Sequence, residues 1–173
     1  MDKRKEANRL VKDRLLDALL DLAQGKDLSR VKVVELVERS GVARASFYRN
    51  FGSMEDVVGY GIDRMARLYH EGMPADAAPR SREAVLYRFR FYREHADIVL
   101  AFHRAHAGTT LLDVVTDCEI SEGGDMPANS IARYELYYFA GAFYNMLVCW
   151  LEGGMRETPE AMADEFLRLA HGV

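Results

Sequence analysis

The sequence predicts an all-α fold of about nine helices, with an N-terminal three-helix head carrying a helix–turn–helix and a larger helical body after it. Three observations predict it. Apolar residues recur at three- and four-residue spacing through most of the 173 residues, the period of a helix with one buried face. No run alternates apolar and polar residues between turn signals, as a half-buried strand would. Only four prolines occur, and they fall in expected loops or where a helix begins. Hydrophobic residues make up 49% of the chain, ample for a packed interior.

The elements follow in order. Across residues 5–23, Leu15, Ala18, Leu19 and Leu22 mark an amphipathic first helix, closed by Gln24-Gly25-Lys26-Asp27. Ser29 is the expected cap of the second helix, with Lys32 in its first turns. Ser53 with Glu55 and Asp56 starts a fourth helix reaching about His70, since a hydroxyl cap and early carboxylates suit a positive helix terminus. Residues 72–79, with Pro74 and Pro79, form a loop. Ser81 and Glu83 open the next helix, which carries Val85, Leu86, Phe89, Phe91 and Tyr92. A break near His95 leads to a short helix through His106, and another runs over 110–120. Residues 121–129 (SEGGDMPAN) read as a loop. Residues 131–151 form a long aromatic-rich helix ended by Gly153-Gly154, and Thr158-Pro159 begins the last one.

Residues 33–51, VVELVERSGVARASFYRNF, are the most specific segment. Val33, Leu36 and Val37 give a short helix one apolar face. Gly41 sits where that helix must stop and the chain reverse. Val42 anchors the turn. Ala43, Arg44, Ala45 and Ser46 then open a second helix with small or cationic groups, and Phe47, Tyr48 and Phe51 close it. Such a helix is suited to enter a DNA major groove.

Net charge is −4, yet its distribution is uneven. Residues 1–70 hold 14 Lys/Arg against 11 Asp/Glu (+3), and residues 71–173 hold 9 against 16 (−7). A basic head on an acidic body fits a nucleic-acid reader. The first sixteen residues are charged throughout, so no signal peptide is expected, and no apolar run is long enough for a membrane span. Cys118 and Cys149 make no disulfide framework, and a cytoplasmic location is expected. There is no P-loop, no Gly-x-Ser-x-Gly, no Rossmann glycine pattern and no metalloprotease motif, so no catalytic residue and no cofactor is expected. His103 and His106, three apart, read as structural or pocket-lining groups rather than metal ligands, because a zinc site needs three or four ligands.

Residues 10–62 resemble the DNA-binding domain of the TetR family of bacterial one-component regulators. The residues that carry the resemblance are Leu36-Val37, Ser40-Gly41-Val42, Phe47-Tyr48-Arg49-Asn50-Phe51 and Ser53-Met54-Glu55-Asp56. The later part shares only length, helical character and the Trp-Leu-x-x-Gly ending at Trp150. The resemblance implies a helix–turn–helix DNA-binding domain over 1–53 and an effector-binding and dimerisation domain over 54–173. It implies Lys32 on a phosphate, Ala43 at the head of the recognition helix, and Arg44 and Ala45 at base edges with Ser46 close by. It implies Tyr48 and Asn50 on phosphates. Arg49 is either a DNA contact or a plain surface charge. Lys3, Arg4 and Lys5 could form an arm on nearby phosphates. Two positions depart from the family: Met54 replaces a common lysine, and Ala43 replaces a capping Ser or Thr. Backbone N–H groups at the start of the fourth helix can still meet a phosphate.

In the body, the helix over 131–151 is apolar on most faces and should be buried on most faces. A dimer interface is expected from it and the last helix, through Tyr134, Phe143, Met146, Trp150, Phe166 and Leu167, as a four-helix bundle with a symmetry mate. A hydrophobic effector pocket is expected from Phe89, Tyr92, Phe102, His103 and Tyr138. The expected partners are double-stranded DNA with a near-palindromic operator, a small-molecule effector and a second copy of the chain, with no membrane. The function so read is a ligand-responsive transcriptional regulator, a repressor released from its operator by a small, mainly hydrophobic molecule. The competing reading is a regulator-like protein that works through a protein partner as a co-activator, with weak or no DNA binding.

Overall fold

The structure, a computed structural model, describes residues 3–104, 108–123, 127 and 130–170, without the side chains of 108–111 and 121–123. Among these residues every regular element is helical, nine α-helices and one 3₁₀ turn. The chain forms two compact units, residues 1–65 and 66–173. Among the described residues no helix is long and apolar enough to cross a membrane.

The first unit holds α1 (Lys3–Ala23), α2 (Val33–Ser40), α3 (Arg44–Asn50) and the first part of α4 (Met54–Gly72). Leu15, Leu16 and Leu19 of α1 are buried together with Leu36, Phe47, Phe51 and Val57. The Asp13 carboxylate of α1 accepts from the Tyr60 hydroxyl at 2.8 Å and from Arg64 at 3.2 Å, which fixes α4 against α1. Two local expectations change here. Lys3, Arg4 and Lys5 lie in the first turn of α1. Ser29 lies inside a 3₁₀ turn, Leu28–Arg30, whose cap is Asp27; its carboxylate accepts from Ser29 N–H at 2.9 Å. Burial of Leu28 and Val31 sets that turn, and α2 then starts after Lys32.

The second unit holds the end of α4, then α5 (Arg82–Glu94), α6 (Ala96–Phe102), α7 (Gly108–Gly123), α8 (Arg133–Glu152) and α9 (Pro159–Ala170). Helix α5 packs along α9, and α7 along α8. The Ser81 hydroxyl caps α5 by accepting from Ala84 N–H at 3.2 Å, and Thr158 caps α9 through Ala161 N–H. Gly154 takes a left-handed φ of 83° just after α8. Aromatic rings fill the middle: Phe89 stands 5.0 Å from Phe143 and 5.7 Å from Trp150, and Phe166 5.7 Å from Phe143. Residues 121–123, expected to open a loop, instead complete α7. The expected end of the preceding helix at His106 lies outside the described residues.

Candidate nucleic-acid interface

The recognition segment is built by its turn. Gly41 ends α2 with φ 65° and ψ 18°, the left-handed region that Gly enters without a Cβ clash. The Ser40 hydroxyl donates to Val37 O and accepts from Val42 N–H, both at 3.3 Å, so the reversal is tied on both sides. Val42 is buried, and Phe47 is fully buried with its ring 6.2 Å from Phe51. The hydrophobic anchoring of one face of α3 turns the other face outward. Ala43, Arg44, Ala45, Tyr48 and Arg49 are exposed, and Ser46 and Asn50 are half-buried.

The exposed face has its own order. The Arg44 guanidinium carbon lies 5.7 Å from the centre of the Tyr48 ring, one helical turn away. Arg49 donates to Ser46 Oγ at 2.6 Å, and the Asn50 amide donates to Ser46 O at 2.8 Å. One Asn50 amide hydrogen is therefore already committed to its own helix. Ala43 offers no side-chain cap to α3, whose first turn closes on the Ala43 carbonyl. Exposed Lys32 precedes α2, and its N–H donates to Glu35 Oε2 at 2.9 Å. Lys26 Nζ donates to both Glu35 oxygens at 2.7 and 2.8 Å. Lys26 is the main reason the Glu35 carboxyl lies below its ordinary value, helped by the Lys32 N–H.

The residues leading into α4 form a closed hydrogen-bonded box. Asp56 Oδ2 accepts from the N–H groups of Gly52 at 2.7 Å and Ser53 at 3.1 Å, while Ser53 Oγ accepts from Asp56 N–H. This reciprocal box satisfies those donors internally, with the Asp56 carboxylate exposed beside them. A neighbouring cation went unrecognised in the sequence. Lys12 Nζ of α1 sits 5.3 Å from the Phe51 ring centre and 5.4 Å from that of Tyr60. Its position depends on contacts some forty residues apart, which no local pattern signals.

The second unit corrects several expected roles. Phe143, Trp150 and Phe166, expected at a dimer face, are 0%, 4% and 2% exposed within one subunit, so their apolar surface is already spent. Tyr134 is 71% exposed, and Met146 and Leu167 are half-buried. Phe89 and Phe102 are fully buried, whereas Tyr138 is 59% exposed on α8. His103 Nδ1 and the Tyr144 hydroxyl are 2.8 Å apart, and burial pushes that hydroxyl's pKa up, keeping it neutral. A groove of about 660 Å³ opens between the end of α8 and α9. Met146, Cys149, Trp150, Arg156, Glu157 and Met162 line it. Among the described residues no three His, Cys, Asp or Glu side chains are placed to hold a metal ion.

A buried-anchored helix–turn–helix with a cationic, small-residue face, followed by a separate helical unit, defines the class of helix–turn–helix transcription regulators. The family of bacterial regulatory proteins, tetR family, matches residues 15–60. The family described as a transcriptional regulator C-terminal region matches residues 84–172. The HTH-type transcriptional regulator AlkX of Mycobacterium tuberculosis (strain ATCC 25618 / H37Rv) is 31% identical over 119 residues, 64% of this chain. That match spans only 56% of the relative's length. A TetR transcriptional regulator from Streptococcus agalactiae 2603V shares the fold with a TM-score of 0.64 at 17% identity, covering 96% of this chain and 97% of that one. A tetR-family regulator from Streptomyces coelicolor does so with 0.61 at 14% identity, covering 92% and 78%. The chain belongs to the TetR family of bacterial regulatory proteins.

Proposed function

We propose that the chain is a homodimeric, ligand-responsive repressor acting on chromosomal DNA in the cytoplasm. Residues 1–53 read the operator, and residues 54–173 bind the effector and dimerise. The observation that carries the reading is the outward face of α3, where Arg44 and Tyr48 stand exposed over the fully buried Phe47. Arg44 is the base-reading group, since a guanidinium can pair with guanine O6 and N7 in two-point fashion. Lys32, Tyr48 and one hydrogen of Asn50 position the head on phosphates. Arg49 serves mainly to hold Ser46. The dimer face combines exposed Tyr134 with Met146, Leu167 and the α8–α9 groove. Two heads about one helical turn apart then read a near-palindromic site. Helix α4 runs unbroken from Met54 to Gly72 and contributes to both units, so an effector that moves its end alters the head.

The test is protection of the DNA upstream of the protein's own gene. Arg44→Ala should lose about 1–3 kcal/mol of operator affinity and relax preference at one base position. Undiminished affinity and selectivity in that variant would remove the base-reading role. The uncapped Ala43 and the self-satisfied α4 start favour a second reading, a co-activator working through a protein partner with weak DNA binding. A steep fall of operator affinity with salt, tracking several phosphate contacts, decides against it.

A further inference from the structure

The first turns of α1 are helical, charged and unburied. None of residues 3–14 is buried, and burial along α1 begins at Leu15. That stretch amounts to about 18 Å of helix at 1.5 Å per residue. Helices in proteins draw most of their stability from packing one face, and the chain itself covers little of this one.

The exposed surface of the stretch is ordered by charge. Lys5, Arg9 and Lys12 stand at i, i+4 and i+7, so they share one face. Lys5 and Arg9 are exposed, and Lys12 is half-buried. Among the described residues no carboxylate forms an ion pair with any of the three. The acids of the stretch, Glu6 and Asp13, fall beside this face, themselves seven residues apart. Asp13 is turned to α4, where it accepts from Tyr60 and Arg64. The inner end of the stripe is fixed. Lys12 Nζ lies 5.3 Å from the centre of the Phe51 ring and 5.4 Å from that of Tyr60. Phe51 is the residue that ends α3, and both rings belong to the same compact unit as α1. The cationic stripe therefore starts beside the end of the recognition helix and runs outward from it.

We propose that Lys5, Arg9 and Lys12 form a second DNA contact, a helical strap along the phosphate backbone of the duplex that α3 reads. The spacing fits. Lys5 to Lys12 spans about 10 Å along the helix axis, while a DNA strand advances about 3.4 Å per phosphate. The three cations thus meet successive phosphates of one strand. They add affinity without sequence preference, since phosphate oxygens are alike at every base pair. The strap supplies cations that the start of α4 lacks, where Met54 carries no charge and Asp56 holds the Gly52 and Ser53 donors. This assignment rests on the reading of the chain as a DNA-binding regulator.

The test is fluorescence anisotropy of the full chain on two duplexes of roughly 40 base pairs, titrated at several salt concentrations. One duplex comes from upstream of the protein's own gene and the other has the same bases shuffled. Lys5→Gln with Arg9→Gln should lower the slope of log affinity against log salt by about 1.8, at about 0.9 per lost phosphate contact. Between about 50 and 200 mM salt that variant then loses roughly tenfold less affinity than the unaltered chain. Both side chains are exposed, so the fold is unaffected. Lys12→Gln should lower the slope by about 0.9, and Lys12→Arg should restore it. Arg67→Gln with Arg93→Gln removes two exposed cations of the second unit and should leave the slope unchanged. The strap variants should weaken both duplexes by the same factor. An unchanged slope in Lys5→Gln/Arg9→Gln, or an equal fall in Arg67→Gln/Arg93→Gln, would overturn the strap. Arg44→Ala on the same duplexes separates the two readings. If Arg44 governs base preference while the strap variants bind as the unaltered chain does, the strap fails and the DNA reading stands. If Arg44→Ala is silent while the strap variants lose slope, the strap stands and base reading by Arg44 fails.

Discussion

Gly41→Ala isolates the conformational requirement of the helix–turn–helix. At φ 65° an added Cβ would meet no heavy atom within 4 Å, so no steric contact with the rest of the protein contributes to the cost. What remains is the intrinsic penalty of left-handed backbone for an L residue, about 1–2 kcal/mol. That corresponds to roughly a 5- to 30-fold increase in opening of the α2–α3 unit. Gly41→Asn should cost less, because Asn tolerates that region. Gly25→Ala is the matched control: it too has nothing within 4 Å, and its φ is not left-handed. The assay is amide hydrogen exchange of Leu36, Phe47 and their neighbours, which reports the head without relying on Trp150 in the other unit. If Gly41→Ala leaves those protection factors unchanged, or Gly25→Ala lowers them equally, the turn does not depend on left-handed backbone.

Three further outcomes are expected. Arg88→Met should destabilise the second unit by about 3–5 kcal/mol by leaving Glu119 buried without its closest partner, and Arg88→Met with Glu119→Leu should recover most of that loss in urea denaturation. Additive losses would remove the ion-pair explanation. Acid should loosen the α5–α9 seam: hydrogen bonds from Arg82 and Arg90 hold the Asp164 and Glu160 carboxyls below their ordinary 3.8 and 4.5. Their contribution is present above those values and is lost as pH falls through the lower folded ones, so Arg82→Ala/Arg90→Ala should show a flatter decline of thermal midpoint at acid pH. An identical decline would assign it to other groups. Tyr134→Asp with Met146→Asp should shift sedimentation towards monomer while far-ultraviolet circular dichroism stays unchanged; a persistent dimer would place the interface elsewhere.

Much of the local structure was legible because its causes are local. Ser53, Ser81 and Thr158 cap helices through N–H groups three residues on, and Gly41 ends α2 by its own backbone freedom. Ser29 shows the limit. Ser29 and Asp27 both carry an acceptor, and burial of Leu28 and Val31 decided which one capped and where α2 began. The Asp56 carboxylate was legible as a favourable early charge, but not its occupation of the Gly52 and Ser53 donors, which depends on the geometry of the box.

The sequence by itself determined the helical class, the helix–turn–helix and the identity of its outward face, because the period of apolar residues and the turn chemistry act within a few residues. Only the tertiary structure decided which aromatics of α8 are interior. That helix is aromatic almost all round, so its period singles out no face; packing against α5 and α9 took Phe143 and Trp150 inward and left Tyr134 and Tyr138 in solvent. Only the fold, too, brought Arg80 and Arg88 to Glu119, which lie 39 and 31 residues away in the chain. Charge meeting charge over such separations is fixed by how helices pack, and no local pattern records it.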